Sequence, residues 1–134
     1  MIYLLDTNVC VDVLRGRSEV IEQLRRLSPD DCAVSSITVF ELMSGAMKSH
    51  EPIGESAKVK RLIETLVGMA FDEVAAEHAA SVRFALETRG TKIGTYDTLL
   101  AGHALALGLI CVTDNTKEFS RVDGLTLENW RILP

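Results

Sequence analysis

Ile2-Tyr3-Leu4-Leu5-Asp6-Thr7-Asn8 is an apolar run that stops on a carboxylate. Four apolar or aromatic residues in succession read as a short buried strand, Ile2 to Leu5. Thr7 and Asn8 are good helix N-cap types, and Val9 and Val13 resume the apolar pattern at helical spacing. A strand that ends in an acid and turns at once into a helix places that acid at the carboxyl edge of a sheet, where open α/β folds bind their ligands. The signature returns late in the chain. Leu109-Ile110-Cys111-Val112-Thr113, apolar enough for a strand buried on both faces, stops at Asp114.

Between these two strands the pattern alternates. The first helix runs from about Asn8 to Leu14, and a second, capped by Ser18, carries Val20, Leu24 and Leu27 on one face. Pro29-Asp30-Asp31 is a turn, and Cys32 to Ser36 reads as a strand. A helix is expected from near Thr38, with Val39, Leu42, Met43 and Ala46 inward and Glu41 on its flank. Gly45 lies one turn further on; either another backbone or a ligand approaches there, or the glycine is incidental. Pro52-Ile53-Gly54 breaks the chain before an amphipathic helix with Val59, Leu62, Ile63 and Leu66 inward, ended by Gly68. Met69 to Phe71 is a weak strand, Glu73 to Thr88 a helix with Ala75, Ala79, Val82 and Leu86 inward, and Tyr96 begins a helix apolar nearly all round. Thr116 to Phe119 is a helical turn, and Leu125 to Trp130 a final edge segment. Strands joined through helices predict an α/β sandwich with a mainly parallel central sheet flanked by helices.

The 134 residues, 47% hydrophobic and 25% charged, are expected to form one globular domain, 1–134. No apolar run is long enough to span a bilayer, and the apolar start lacks the basic flank of a signal sequence, so a cytoplasmic protein with no membrane partner is expected. Cys10, Cys32 and Cys111 lack metal-binding spacing and read as buried reduced thiols; His50, His78 and His103 show no ligand pattern. The net charge of −5 argues against nonspecific polyanion binding, unless several acids are gathered into a metal site.

Four acids answer to that exception. Asp6 and Asp114 follow strand ends, while Asp97 and Glu41 lie in first turns of helices. In a parallel sheet those positions share one edge. Each acid has an ordinary explanation, the helix macrodipole or turn chemistry, but the four together imply mutual repulsion that a counter-charge must relieve. Oxygen-only ligands favour Mg²⁺ or Mn²⁺ over zinc, and such a site suits phosphoryl chemistry.

With Tyr3-Leu4-Leu5-Asp6-Thr7-Asn8, Thr38-Val39-Phe40-Glu41-Leu42 with Gly45, Ile93 to Ala104, and Val112-Thr113-Asp114-Asn115 with Glu118-Phe119, the chain resembles the PIN-domain ribonucleases of the VapC toxin family. Gly124 to Trp130 is similar to the family's tail. The resemblance implies a PIN-like α/β/α sandwich and a Mg²⁺/Mn²⁺-dependent endoribonuclease. Asp6, Glu41, Asp97 and Asp114 would be its catalytic residues, with Asp6 and Asp97 the constant metal ligands and Asp114 at a position often occupied by Asn. Asn8 and Thr113 match small polar positions that support the cluster; Glu118 is expected to be a surface or helix-turn acid. The resemblance further implies a toxin of a toxin–antitoxin pair, a VapB-like antitoxin, a homodimer, and a structured RNA substrate such as the anticodon loop of initiator tRNA, cut to leave 5′-phosphate and 3′-hydroxyl ends. Arg15, Arg17, Arg25, Arg26, Lys48, Lys58 and Lys60 are candidate phosphate contacts.

Other classes fit less well. A phosphorelay receiver domain needs paired acids after an early strand and a lysine directly after a late one; Asp6 stands alone and Lys117 is three residues past Asp114. A haloacid-dehalogenase-type phosphatase needs a second aspartate where this chain has Asn8. An inactive PIN fold acting as a binding module is the remaining alternative.

Overall fold

The computed structural model describes residues 1–132. Five strands, β1 (Tyr3–Leu5), β2 (Cys32–Ser35), β3 (Val67–Met69), β4 (Ile110–Val112) and β5 (Leu127–Glu128), form one sheet in the order β3-β2-β1-β4-β5. Every pairing is parallel, with Leu4 beside Ala33 on one flank and Cys111 on the other. Seven helices connect them: α1 (Thr7–Leu14), α2 (Ser18–Arg25), α3 (Ser36–Met47), α4 (Pro52–Glu64), α5 (Glu73–Thr88), α6 (Thr95–Leu107) and α7 (Thr116–Phe119).

The central strands alternate between two cores, as the two-residue period of a strand requires. Leu5, Cys32, Val34 and Val112 face one core, completed by Val9 and Cys10 of α1, Val20 of α2, Leu42 and Ala46 of α3, and Val59 and Leu62 of α4. Leu4, Ala33 and Cys111 face the other, with Val82 and Leu86 of α5 and Ala101 and Ala104 of α6. Both faces of the sheet are therefore covered, giving the expected α/β/α sandwich. All three cysteines are buried free thiols, as the spacing implied.

Several boundaries differ from the sequence expectation, each for a local reason. The α3 helix begins at Ser36, because the Ser35 hydroxyl accepts the Ile37 amide at 3.1 Å and caps it. That start turns Thr38, Leu42 and Ala46 into the buried face, while Val39 is only half-buried. Pro52 opens α4 as its first residue, where its missing N–H costs nothing. Gly68 lies within β3, paired beside Val34, instead of ending a helix. As an edge strand half-exposed on both faces, β3 carries little alternation for a sequence to display.

Two glycines separate cleanly. Gly45 has open space where a Cβ would project, so nothing in this chain approaches it. At Gly102 a Cβ would sit 2.4 Å from the Ala79 backbone, so α5 and α6 touch there at a distance only glycine permits. Among the described residues, no helix is long and apolar enough to cross a membrane.

Candidate functional site

The carboxyl edge of the sheet is assembled from the ends of β1 and β4. The Asp6 amide donates to the Val112 carbonyl at 2.9 Å, so the residue leaving β1 lies beside the residue leaving β4. Asp6 is the N-cap of α1, yet its side chain does not cap that helix. Its Oδ2 instead accepts the Thr113 hydroxyl at 2.7 Å. Thr113 Oγ1 in turn accepts the Asn115 amide at 3.0 Å, which fixes the turn after β4.

Asp97 arrives in the first turn of α6, as expected, whereas Glu41 lies in the second turn of α3, because that helix starts at Ser36, two residues before the expected start. The Thr7 hydroxyl donates to Glu41 Oε1 at 2.7 Å and lies 3.0 Å from the Thr38 hydroxyl. Asn115 Nδ2 lies 3.3 Å from Asp97 Oδ2 and 3.1 Å from Glu118 Oε2, so one amide ties two acids together. Asp114 is held differently: Arg131 Nη1 lies 3.0 Å from its Oδ2. Its Oδ1 is buried and has no hydrogen-bond partner.

These acids feel one another. Asp6 is 3% exposed, and burial, with the charges of Asp97 and Asp114, pushes its carboxyl up to about 6 against the hydrogen bonds from Thr113 and the Thr7 amide. Asp97 is raised too, first by burial and then by the charges of Glu118, Glu41 and Asp114, with the Asn115 hydrogen bond opposing. The edge thus gathers Asp6, Glu41, Asp97 and Asp114, as the sequence anticipated. It also draws in Glu118, expected as an ordinary surface acid, which is half-buried, bonded to Asn115 and the charge that raises Asp97 most.

A divalent cation fits this chemistry. The donors are all oxygen, the ionised forms of Asp6 and Asp97 are disfavoured without a counter-charge, and one buried carboxylate oxygen, Asp114 Oδ1, is orphaned. Among the described residues no three Asp, Glu, His or Cys side chains already stand at metal-binding spacing.

Of the supporting residues anticipated, Thr113 holds Asp6, whereas Asn8 is exposed and makes no side-chain hydrogen bond among the described residues. Its exposure follows from α1 turning Val9 and Cys10 inward. Thr7, beside Asp6 in the chain, holds Glu41, while Thr38 and Asn115 join the holding and only their neighbouring acids could have flagged them. Asp12, buried on α1, accepts two bonds from Arg131 at 2.8 Å each. An acid amid Val9, Cys10 and Val13 was a visible anomaly; its partner, 119 residues away, was not.

Of the proposed phosphate contacts, Arg17 lies 3.6 Å from Asp12 and Lys58 pairs with Glu55, while Arg15, Arg25, Arg26, Lys48 and Lys60 are exposed. Phe40 and Tyr96, neighbours in sequence of Glu41 and Asp97, are both exposed, their ring centroids 5.8 Å apart. His103 is buried in α6 away from this set, 2.9 Å from the Ser35 hydroxyl and edge-on to Phe71, and burial lowers its pKa.

A family model for the PIN domain matches residues 3–125. The tRNA(fMet)-specific endonuclease VapC of Salmonella typhimurium is 38% identical over 128 residues, covering 96% of this chain and 97% of that protein. Ribonuclease VapC2 of Haemophilus influenzae is 36% identical over 129 residues, 96% of this chain and 97% of its own. Among solved structures, DNA-bound VapBC from Salmonella typhimurium superposes with a TM-score of 0.93 at 36% identity, covering 97% of this chain and 98% of that one. VapBC2 from Rickettsia felis, bound to a promoter DNA fragment, gives 0.91 at 35% identity, covering 97% and 99%.

Proposed function

The chain belongs to the PIN-domain family, among the VapC toxin ribonucleases, and from that premise we propose that Asp6, Glu41, Asp97 and Asp114 cut initiator tRNA in its anticodon loop. The observation that carries the assignment is the shared carboxyl edge. Four acids from four separate elements meet there, two of them with raised pKa values and one with an orphaned buried oxygen.

Asp6 and Asp97 would hold Mg²⁺ or Mn²⁺ directly, with Glu41 and Asp114 completing its surroundings through water or at a second ion. When bound, the ion polarises a phosphate oxygen, lowers the pKa of water and stabilises the leaving oxygen. Around it the chain's own residues set the geometry. Thr113 holds Oδ2 of Asp6, Thr7 fixes Glu41, and Asn115 fixes Asp97. A cation held there would relieve the repulsion that raises Asp6 and Asp97, and the site suits in-line hydrolysis leaving 5′-phosphate and 3′-hydroxyl ends.

Phe40 and Tyr96 supply exposed ring faces beside Glu41 and Asp97, suited to stacking the splayed bases of a single-stranded loop. The relatives solved as VapBC complexes support a VapB-like antitoxin as the partner that silences this chain, which we take to act as a homodimer of single-domain protomers.

The test is expression in a bacterial host with mapping of RNA ends. Wild type should arrest growth with new ends in one tRNA anticodon loop, co-expressed antitoxin should relieve it, and Asp6→Asn should leave growth untouched. Arrest by Asp6→Asn with the same RNA ends would refute the assignment.

A further inference from the structure

The Arg131 guanidinium reaches across the sheet edge to two carboxylates that differ in kind. Its Nε and Nη2 each lie 2.8 Å from an oxygen of Asp12, a bidentate pair with a side chain only 8% exposed. Its remaining Nη1 lies 3.0 Å from Asp114 Oδ2. Among the described residues, no other cation forms an ion pair with Asp6, Glu41, Asp97, Asp114 or Glu118. The backbone on either side is also fixed. Trp130 is 1% exposed and meets Tyr3 of β1 edge-on at 5.5 Å, and the Arg131 amide donates to Asn129 Oδ1 at 3.0 Å.

Bidentate pairing locks the plane of a guanidinium, and with it the direction of the remaining N–H groups. A lysine in this place could neutralise charge but could not hold two carboxylates at fixed angles. We infer that Arg131 is a positioning residue of the nuclease site: anchored by Asp12, it occupies Asp114 Oδ2 and leaves Oδ1 as the one oxygen Asp114 offers to the cluster. The orphaned, buried Oδ1 is what such an arrangement produces. It also explains why α1 carries a buried acid at Asp12, which contributes nothing to the apolar core around it. The inference rests on the metal-binding reading of the site above.

The test measures Mn²⁺ binding to the purified full chain without RNA, by the electron paramagnetic resonance signal of free Mn²⁺, in wild type, Arg131→Lys and Asp12→Leu/Arg131→Met. The double variant replaces the pair by apolar side chains of similar volume, an exchange that proteins often tolerate, and thermal melting checks that it folds. The expected result is Mn²⁺ affinity about tenfold weaker in both variants. That loss should be largely absent when the same changes are made in an Asp114→Asn background, because the effect passes through Asp114. Unchanged or tighter Mn²⁺ binding in the variants would overturn the inference, tighter binding marking Arg131 as a mere competing charge. An equal loss in the Asp114→Asn background would overturn it too, marking a general structural effect. Wild type that binds no Mn²⁺ would instead refute the metal-site reading itself, so the two failures are distinguishable.

Discussion

Asp6 sits where its ionised form is unfavourable, buried against Asp97 and Asp114, and this has a signature in stability. Its folded carboxyl titrates at about 6 against an ordinary value of 3.8. Between those values the folded chain keeps a proton that the unfolded chain has released, so this group's contribution is full below about pH 4 and is lost as pH rises through about 6. The loss is of order 3 kcal/mol, from about 1.4 kcal/mol per pKa unit. Asp6→Asn removes it, so in metal-free buffer at neutral pH this variant should melt several degrees above wild type while losing at least about 10²-fold in cleavage rate. A lower melting temperature for Asp6→Asn would show that the carboxylate is a stabilising, fully partnered group. The second prediction concerns its support. Thr113→Val removes the hydroxyl that donates to Asp6 and accepts from Asn115, and Mn²⁺ titration should find affinity about 10- to 100-fold weaker. Asp6, Asp97 and Asp114 were legible in the sequence because each stands at an element boundary, and Glu41 because it flanks the apolar face of a helix. Asn115 and the Asp12–Arg131 pair were not, since a hydrogen bond between distant elements leaves no local pattern.

The elements that deliver these residues depend on close helix packing at one point. A methyl group on Gly102 would collide with the Ala79 backbone, with no flexible side chain to yield. Gly102→Ala should therefore force α5 and α6 apart and cost about 1–3 kcal/mol in denaturant unfolding. Because α6 also carries Asp97, cleavage should fall further than stability alone explains. Gly45→Ala, into open space on α3, should stabilise the isolated chain by up to about 1 kcal/mol; destabilisation there would reveal an approach that the chain's own packing does not contain. Both glycines lie in helices and look alike as sequence. Only the partner helix distinguishes them, and a sequence does not show which helix packs against which glycine. The central strands were legible for the opposite reason: burial on both faces makes β1, β2 and β4 continuous apolar runs. The edge strand β3, half-exposed, was displaced by two residues in the expectation.

At the scale of the whole molecule, a chain of net charge −5 does not hold RNA by bulk attraction. Substrate grip must come from the local features of one edge, where cations held at the proposed site would offset the acids and the Phe40 and Tyr96 rings stand exposed beside them. Replacing either ring, as Phe40→Ala or Tyr96→Ala, should raise KM for a tRNA substrate about tenfold in steady-state cleavage, the range of one lost base–aromatic stack, with kcat changed much less. The α/β/α architecture explains why so much converges there: a parallel sheet sends all its strand ends, and the helix starts that follow them, to the same side. The account stands or falls on whether that edge is a metal-dependent nuclease centre. The direct measurement is cleavage of end-labelled initiator tRNA by the purified chain, with Mg²⁺ or Mn²⁺ present and with excess chelator. One cut in the anticodon loop is expected, leaving a 5′-phosphate and a 3′-hydroxyl, that vanishes on chelation and in Asp97→Asn. Cleavage that continues in chelator, or in Asp97→Asn at the wild-type rate, would contradict it.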